Sequence, residues 1–117
     1  VHLLTDADLH GLGALAHDIR TRKHGKRVFL VRNRHINPTN ICRNHCAFCS
    51  FRADAGDERA YFHTPEEIVA QLKRAGVKDV QEFHITGGTP PREVADYSYY
   101  RRLLTALRSA FPGVHLK

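Results

Sequence analysis

The chain has 117 residues, of which 42% are hydrophobic and 26% charged, the balance of one small globular domain. No apolar run approaches the roughly 18–20 residues that span a bilayer and no basic-then-apolar leader marks it for secretion, so a cytoplasmic protein with no membrane partner is expected. Lys and Arg number 18 against 12 Asp and Glu, a net charge of +6, which leaves open a nucleic-acid or an anionic small-molecule partner.

The first predicted element is a helix. Thr5 is its candidate N-cap, with Asp8 three residues on and Leu4 placed to staple against Leu9. Leu9, Leu12, Leu15, Ala16 and Ile19 recur at helical spacing and predict one apolar face, and Gly25 ends the helix. Much of the positive charge follows here, in Arg20, Arg22, Lys23, Lys26, Arg27, Arg32 and Arg34. Such a cluster reads as a nucleic-acid footprint or as a solvated helix end, where cations meet the negative pole of the dipole. Aromatic residues are not interleaved with these charges, which favours the helix end and no nucleic-acid partner. An anionic small-molecule substrate is the third reading.

Val28-Phe29-Leu30-Val31 and a segment around Arg34 to Asn37 predict two strands of a short hairpin, closed at Pro38, which cannot donate to a central ladder. Residues 42–57 show no period and predict a long loop, a feature that in compact domains usually carries function. Thr64-Pro65-Glu66-Glu67 combines an N-cap, proline at the first helical position and a capping-box Glu. Ile68, Val69, Leu72 and Ala75 supply that helix's buried face and Gly76 stops it. A strand from Glu82 to Thr86 runs into Gly87-Gly88-Thr89-Pro90-Pro91. A third helix spans about Tyr97 to Ala110, and a last strand begins at Val114. Strand, loop, helix, strand, loop, helix, strand is the order of a parallel α/β sheet with covering helices.

The long loop holds Cys42-Arg-Asn-His-Cys46-Ala-Phe-Cys49, all three cysteines of the chain within eight residues. An odd count at this spacing is not a disulfide framework; it suits reduced thiols that serve a metal. Thiolates select zinc, copper(I) or iron–sulfur clusters. A zinc site would need a fourth ligand, for which His45 or His35 is available. A small zinc module that docks nucleic acid is therefore one alternative. An iron–sulfur cluster normally takes four cysteines, so three would leave one iron open to an exogenous ligand, as at a reacting site.

The Cys-x3-Cys-x2-Cys spacing, with the aromatic Phe48 just before the last cysteine, resembles the signature of the radical S-adenosylmethionine (radical SAM) superfamily. The resemblance implies a [4Fe–4S] cluster on Cys42, Cys46 and Cys49. It also implies S-adenosylmethionine on the open iron, cleaved reductively to a 5′-deoxyadenosyl radical. An external electron donor of the flavodoxin or ferredoxin type is implied as well. Phe48 is either an ordinary core residue or, by the resemblance, lies beside the cofactor's adenine. Gly87-Gly88 alone is a turn. By the resemblance the pair, with Thr89, binds the cofactor, bare backbone approaching its methionine amino group.

A closer likeness runs through Arg34 to Cys42, Cys46 to Phe51, Ala60-Tyr61 and Phe83 to Gly88. These stretches resemble the branch of that superfamily in the futalosine route of menaquinone biosynthesis. The resemblance implies addition of the radical to 3-[(1-carboxyvinyl)oxy]benzoate, a small-molecule substrate. Neighbouring branches, a futalosine cyclase and the coenzyme F420 synthase subunits, tend to carry an aromatic residue at the position of Pro38 and Gly at that of His45. The family often has His where Pro90 stands, and that difference runs the other way.

Strand parity gives an independent inference. Phe83 and Ile85 face one way on their strand, and Glu82, His84 and Thr86 face the other. His35, Asn37 and Thr39 share a face, as do His115 and Lys117. With helices over the apolar face, the polar face points inward in a barrel. His35, Asn37, His84 and Thr86 are then either a hydrogen-bonded polar core or the wall of a substrate pocket. The expected architecture is a partial (β/α) barrel of the radical SAM type. A helix and hairpin over residues 1–33 lead into the first half of the core over residues 34–117. A whole barrel takes roughly 200–250 residues. The chain starts at Val1 and stops two residues after His115, and is expected to be an N-terminal fragment, inactive alone, whose open sheet edge invites aggregation.

Overall fold

The computed structural model describes residues 5, 6 and 8–117. These form two compact units, divided between Leu30 and Val31.

The first unit holds α1, Leu9–His24. Its N-cap is Asp8, whose carboxylate accepts from the N–H groups of His10 (3.2 Å) and Gly11 (2.7 Å). Thr5, the expected cap, is already helical and lies ahead of it, so the shorter-range Asp8 carboxylate takes the orphan donors. Leu4 lies outside the described residues. Arg22, Lys23 and His24 fill the last turn and Gly25 closes it at φ 63°, its N–H on the Thr21 carbonyl. The apolar face expected to be buried is not: no residue of α1 is buried, and Leu9 is 75% exposed. The expected hairpin is also not formed. Residues 28–31 carry no strand, and Phe29 is 87% exposed. β-propensity reports fitness for a half-buried pleated surface, and among the described residues 28–31 carry no strand pairing.

The second unit holds β1 (Asn33–Ile36), α2 (Pro65–Arg74), β2 (Glu82–Ile85), α3 (Tyr97–Ala110) and β3 (His115–Leu116). The strands form a parallel sheet in the order β1-β2-β3. Arg34 pairs with Phe83, His35 with His84 and Phe83 with Leu116. One face is apolar, and on it Ile36 and Phe83 pack with Ile68 and Leu72 of α2 and Tyr99, Leu103 and Leu107 of α3. Phe83 also meets Phe111 edge-on, ring centroids 5.2 Å apart.

The two covering helices begin as their sequences dictate. Thr64 Oγ1 accepts from the Glu67 N–H and the Glu67 carboxylate accepts from the Thr64 N–H, a complete capping box. Those bonds hold the Glu67 carboxyl below its usual range. Asp96 caps α3, accepting from Ser98 and Tyr99. Tyr99 reaches from α3 to the segment before α2, its hydroxyl donating to the His63 carbonyl at 2.6 Å. Burial pushes its pKa up to about 12.

Leu103 is fully buried, whereas Leu104 beside it is 44% exposed. Leu103→Ala should therefore cost about 2–5 kcal/mol through transfer and cavity terms, and Leu104→Ala less than about 1 kcal/mol. Urea unfolding midpoints of the two variants check the ordering; equal losses would place the core elsewhere.

Candidate metal centre

The candidate site lies where β1 and β2 end. Ligands of parallel α/β sheets gather at the carboxyl ends of the strands, and here both loops that leave those ends carry the residues singled out by the sequence. Beyond Ile36 the chain turns through Asn37 and Pro38 into a buried stretch. Thr39 Oγ1 donates to the Tyr61 carbonyl at 2.6 Å and accepts from the Ile41 N–H at 3.0 Å. The Asn40 amide donates to the Arg59 carbonyl (2.8 Å) and accepts from the Tyr61 N–H (2.9 Å). Ala53 N–H reaches the Asn40 carbonyl, and the Cys42 N–H reaches the Ala53 carbonyl. Thr39 and Asn40 thus pin the outgoing and returning arms of the cysteine loop together. Sequence reasoning gave neither this role; a Thr-Asn pair directly after Pro38 and two residues before the first cysteine is the signal that could have suggested it.

The loop after β2 clasps the same stretch. Gly88 N–H donates to the Thr39 carbonyl at 2.8 Å, and the Arg43 N–H donates to the Thr89 carbonyl at 2.9 Å. The Thr89 N–H donates to Cys42 Sγ at 3.2 Å, and that bond is the main cause holding the Cys42 thiol below its ordinary range. A Cβ on Gly88 would overlap the carbonyl of Ile41, and one on Gly87 would stand 2.8 Å from the Thr39 oxygen. The pair is glycine because the backbone of residues 39–41 presses against it.

The loop's base is fixed and its tip is open. Cys46 is exposed, and Cys42 and Cys49 are partly exposed. The Cys49 N–H turns back onto the Cys46 carbonyl at 3.0 Å. Phe48 is 92% exposed, which overturns its reading as a core residue. Cys46 and Cys49 line an open hollow of about 510 Å³ together with His45, Ser50, Arg52 and Arg59. Among the described residues no three His, Cys, Asp or Glu side chains converge tightly enough to hold an ion, with His45 or His35 or without them. By its chemistry the donor set fits an iron–sulfur cluster: three soft thiols on one loop and no fourth cysteine in the chain.

The four residues chosen by parity make contact in two pairs. The His35 and His84 rings lie 4.7 Å apart between centroids, and the Thr86 hydroxyl donates to Asn37 Oδ1 at 2.9 Å. His35 and His84 alternate along their strands with Ile36 and Phe83, which pack on the helices, while Asn37 and Thr86 stand just past the strand ends.

The Radical SAM superfamily pattern matches residues 36–116, and the chain belongs to this superfamily, whose members use a [4Fe–4S] cluster and S-adenosylmethionine. It is 41% identical over all its 117 residues to an aminodeoxyfutalosine synthase of Streptomyces coelicolor, covering 30% of that protein. Against an aminodeoxyfutalosine synthase of Thermus thermophilus it is 37% identical over 94% of the chain and 29% of the relative. A 5-amino-6-(D-ribitylamino)uracil--L-tyrosine 4-hydroxyphenyl transferase of Methanopyrus kandleri is 39% identical over 86% of the chain and 27% of the relative. The chain spans about a third of the length of the curated relatives it matches.

Gly88→Ala should displace the loop after β2 from residues 39–41 and cost about 1–3 kcal/mol. Gly113, with nothing within 4 Å of its position for a Cβ, is the control. Thermal midpoints and iron bound per chain after anaerobic reconstitution check both: Gly88→Ala lowers both quantities and Gly113→Ala neither.

Proposed function

We propose that the chain is the opening part of an aminodeoxyfutalosine synthase-like radical SAM enzyme of the cytoplasm, and that its three strands begin a (β/α) barrel. On this reading residues 1–33 lead into the barrel and residues 34–117 are its first half. The observation that carries the proposal is 41% identity to a named synthase across the whole chain, together with a thiol loop of matching spacing. Pro38 and His45, where neighbouring branches tend to differ, lend support.

Cys42, Cys46 and Cys49 would hold the cluster, which when bound supplies the electron that cleaves S-adenosylmethionine. The remaining tasks belong to the chain. Thr89 fixes Cys42 through its N–H, so the first thiol has one orientation before anything binds. Phe48 at the exposed loop tip offers an aromatic ring to the adenine, and Gly87, Gly88 and Thr89 offer backbone to the methionine end. His35, Asn37, His84 and Thr86 face the substrate. The Thr86 hydroxyl occupies Asn37 Oδ1, which leaves the Asn37 NH2 as the group that donates to a ligand oxygen. The product would be 6-amino-6-deoxyfutalosine, made from 3-[(1-carboxyvinyl)oxy]benzoate with S-adenosylmethionine consumed. An external electron donor of the flavodoxin or ferredoxin type would serve it.

A second reading has its own support, since the chain is 39% identical to a tyrosine 4-hydroxyphenyl transferase. The two readings differ in the fate of the radical. A synthase adds it to carbon and keeps the adenosyl skeleton in the product; a hydrogen-abstracting relative releases 5′-deoxyadenosine. The full-length protein, reduced and anaerobic, is given S-adenosylmethionine labelled in its ribose and the enolpyruvyl benzoate. Label in a product containing both benzoate and adenine is expected. Label wholly in 5′-deoxyadenosine would move the chain to the other branch. In the same protein, Cys42→Ser, Cys46→Ser or Cys49→Ser should each abolish assembly of close to four iron and four sulfide. Stoichiometric zinc with no iron uptake would instead sink the cluster itself.

A further inference from the structure

Arg52 follows the last cysteine by three residues and its side chain is four-fifths buried. It lines the hollow shared by Cys46 and Cys49. One end of the guanidinium is engaged: Nη2 pairs with Asp54 Oδ1. Another donor on the same side chain, Nε–H, is buried and has no acceptor among the described residues. Native structures seldom leave a buried donor unpaired, and such groups often answer to a ligand or ion that completes them. Arg59, the other cation at the hollow, is exposed and spent on Asp57 at 3.0 Å. Arg52 alone therefore brings a half-used, buried cation to the two thiols.

We propose that Arg52 is the tuning cation of the centre: its Nε–H donates to a sulfur of the cluster bound by Cys46 and Cys49, and its charge raises the potential at which that cluster accepts an electron. The inference rests on the cluster reading above. Net charge and hydrogen bonds to sulfur are two of the levers that set iron–sulfur potentials. One-electron reduction adds negative charge, so a fixed cation beside the sulfurs stabilises the reduced form. Asp54 counters part of that charge. Removing the cation and removing its counter-charge must then act in opposite directions, which mere loosening of the loop cannot imitate.

The experiment is a mediated dithionite titration, followed by electron paramagnetic resonance, of the reconstituted full-length protein and its variants. Arg52→Gln should lower the midpoint potential, cutting the reduced-to-oxidised ratio at a fixed poise about tenfold, a shift of about 59 mV for one electron. Asp54→Asn should raise it. Arg52→Lys keeps the charge without the guanidinium fork and should fall between wild type and Arg52→Gln. If Arg52→Gln holds no iron while Arg52→Lys does, the need for a cation at the cluster is supported directly. An unchanged midpoint in an Arg52→Gln protein with full iron would overturn the proposal. Shifts of the same sign in Arg52→Gln and Asp54→Asn would overturn it too, as would loss of iron in both Arg52 variants, because each marks a packing role. Wild-type protein that assembles no cluster counts against the family function, a result separable from all of these.

Discussion

The site depends on one close approach, that of Gly88 to the backbone of Thr39, Asn40 and Ile41. Two loops leave neighbouring strands and must meet without side chains between them. Only then can the Gly88 N–H reach the Thr39 carbonyl and the Thr89 N–H reach the Cys42 sulfur. Any Cβ at position 88 would hold the two loops apart. Cys42 would then lose the bond that orients it, and the thiol its main source of acidity. The glycine pair is thus a structural condition of the first cysteine's position, whatever else approaches it.

From that clasp follows a division within the cysteine loop. Its arms are tied by Thr39 and Asn40, both nearly inaccessible to water, through bonds to Arg59, Tyr61 and Ala53. Buried polar groups so fully paired hold one geometry, because breaking any bond leaves an unsatisfied partner at about 1–3 kcal/mol. The tip, from Arg43 to Phe51, has few such ties and remains largely exposed. A rigid frame with an open tip suits a ligand set that closes around its metal. It also explains why the three thiols share a loop without converging on a point. A 92% exposed Phe48 belongs to the same open tip; an apolar ring in that position gains from covering a bound partner.

How legible this was in the sequence varied with how local the cause was. The capping box of Thr64 and Glu67 is encoded within four residues and formed as written. Strand parity needed only the alternation of Phe83 and Ile85 with His84 and Thr86, and it sorted the sheet's two faces correctly. The cysteine spacing is local and led to the family. The first helix and Val28–Val31 show the limit. Their patterns state which residues could be buried, not that a surface exists to bury them, and Leu9 and Phe29 remain in water. Thr5 and Asp8 compete for one cap within four residues, and propensity alone does not separate them. Thr39 and Asn40 were illegible for another reason: their partners lie some twenty residues downstream, at Arg59 and Tyr61. Arg52 could be read as a basic residue, but its unpaired Nε–H is visible only in three dimensions.

The sheet separates two demands that a small protein otherwise has to meet with the same residues. On one face Ile36 and Phe83 join the helices in a core of side chains without charge. On the other, at register positions one residue away, stand His35 and His84, paired across the same two strands. Because the pleat has a period of two, a slip of one residue in β2 would bury His84 and expose Phe83. The apolar core therefore fixes the register, and the register sets which polar groups stand together at the strand ends. The two loops that depart from those ends inherit the same alignment: Thr86 bonds back to Ile36 through its N–H and to Asn37 through its hydroxyl, and the glycine clasp begins one residue later. Core packing and the position of the first cysteine are in this sense a single constraint, transmitted through residues 37–41 beyond β1 and residues 86–89 beyond β2.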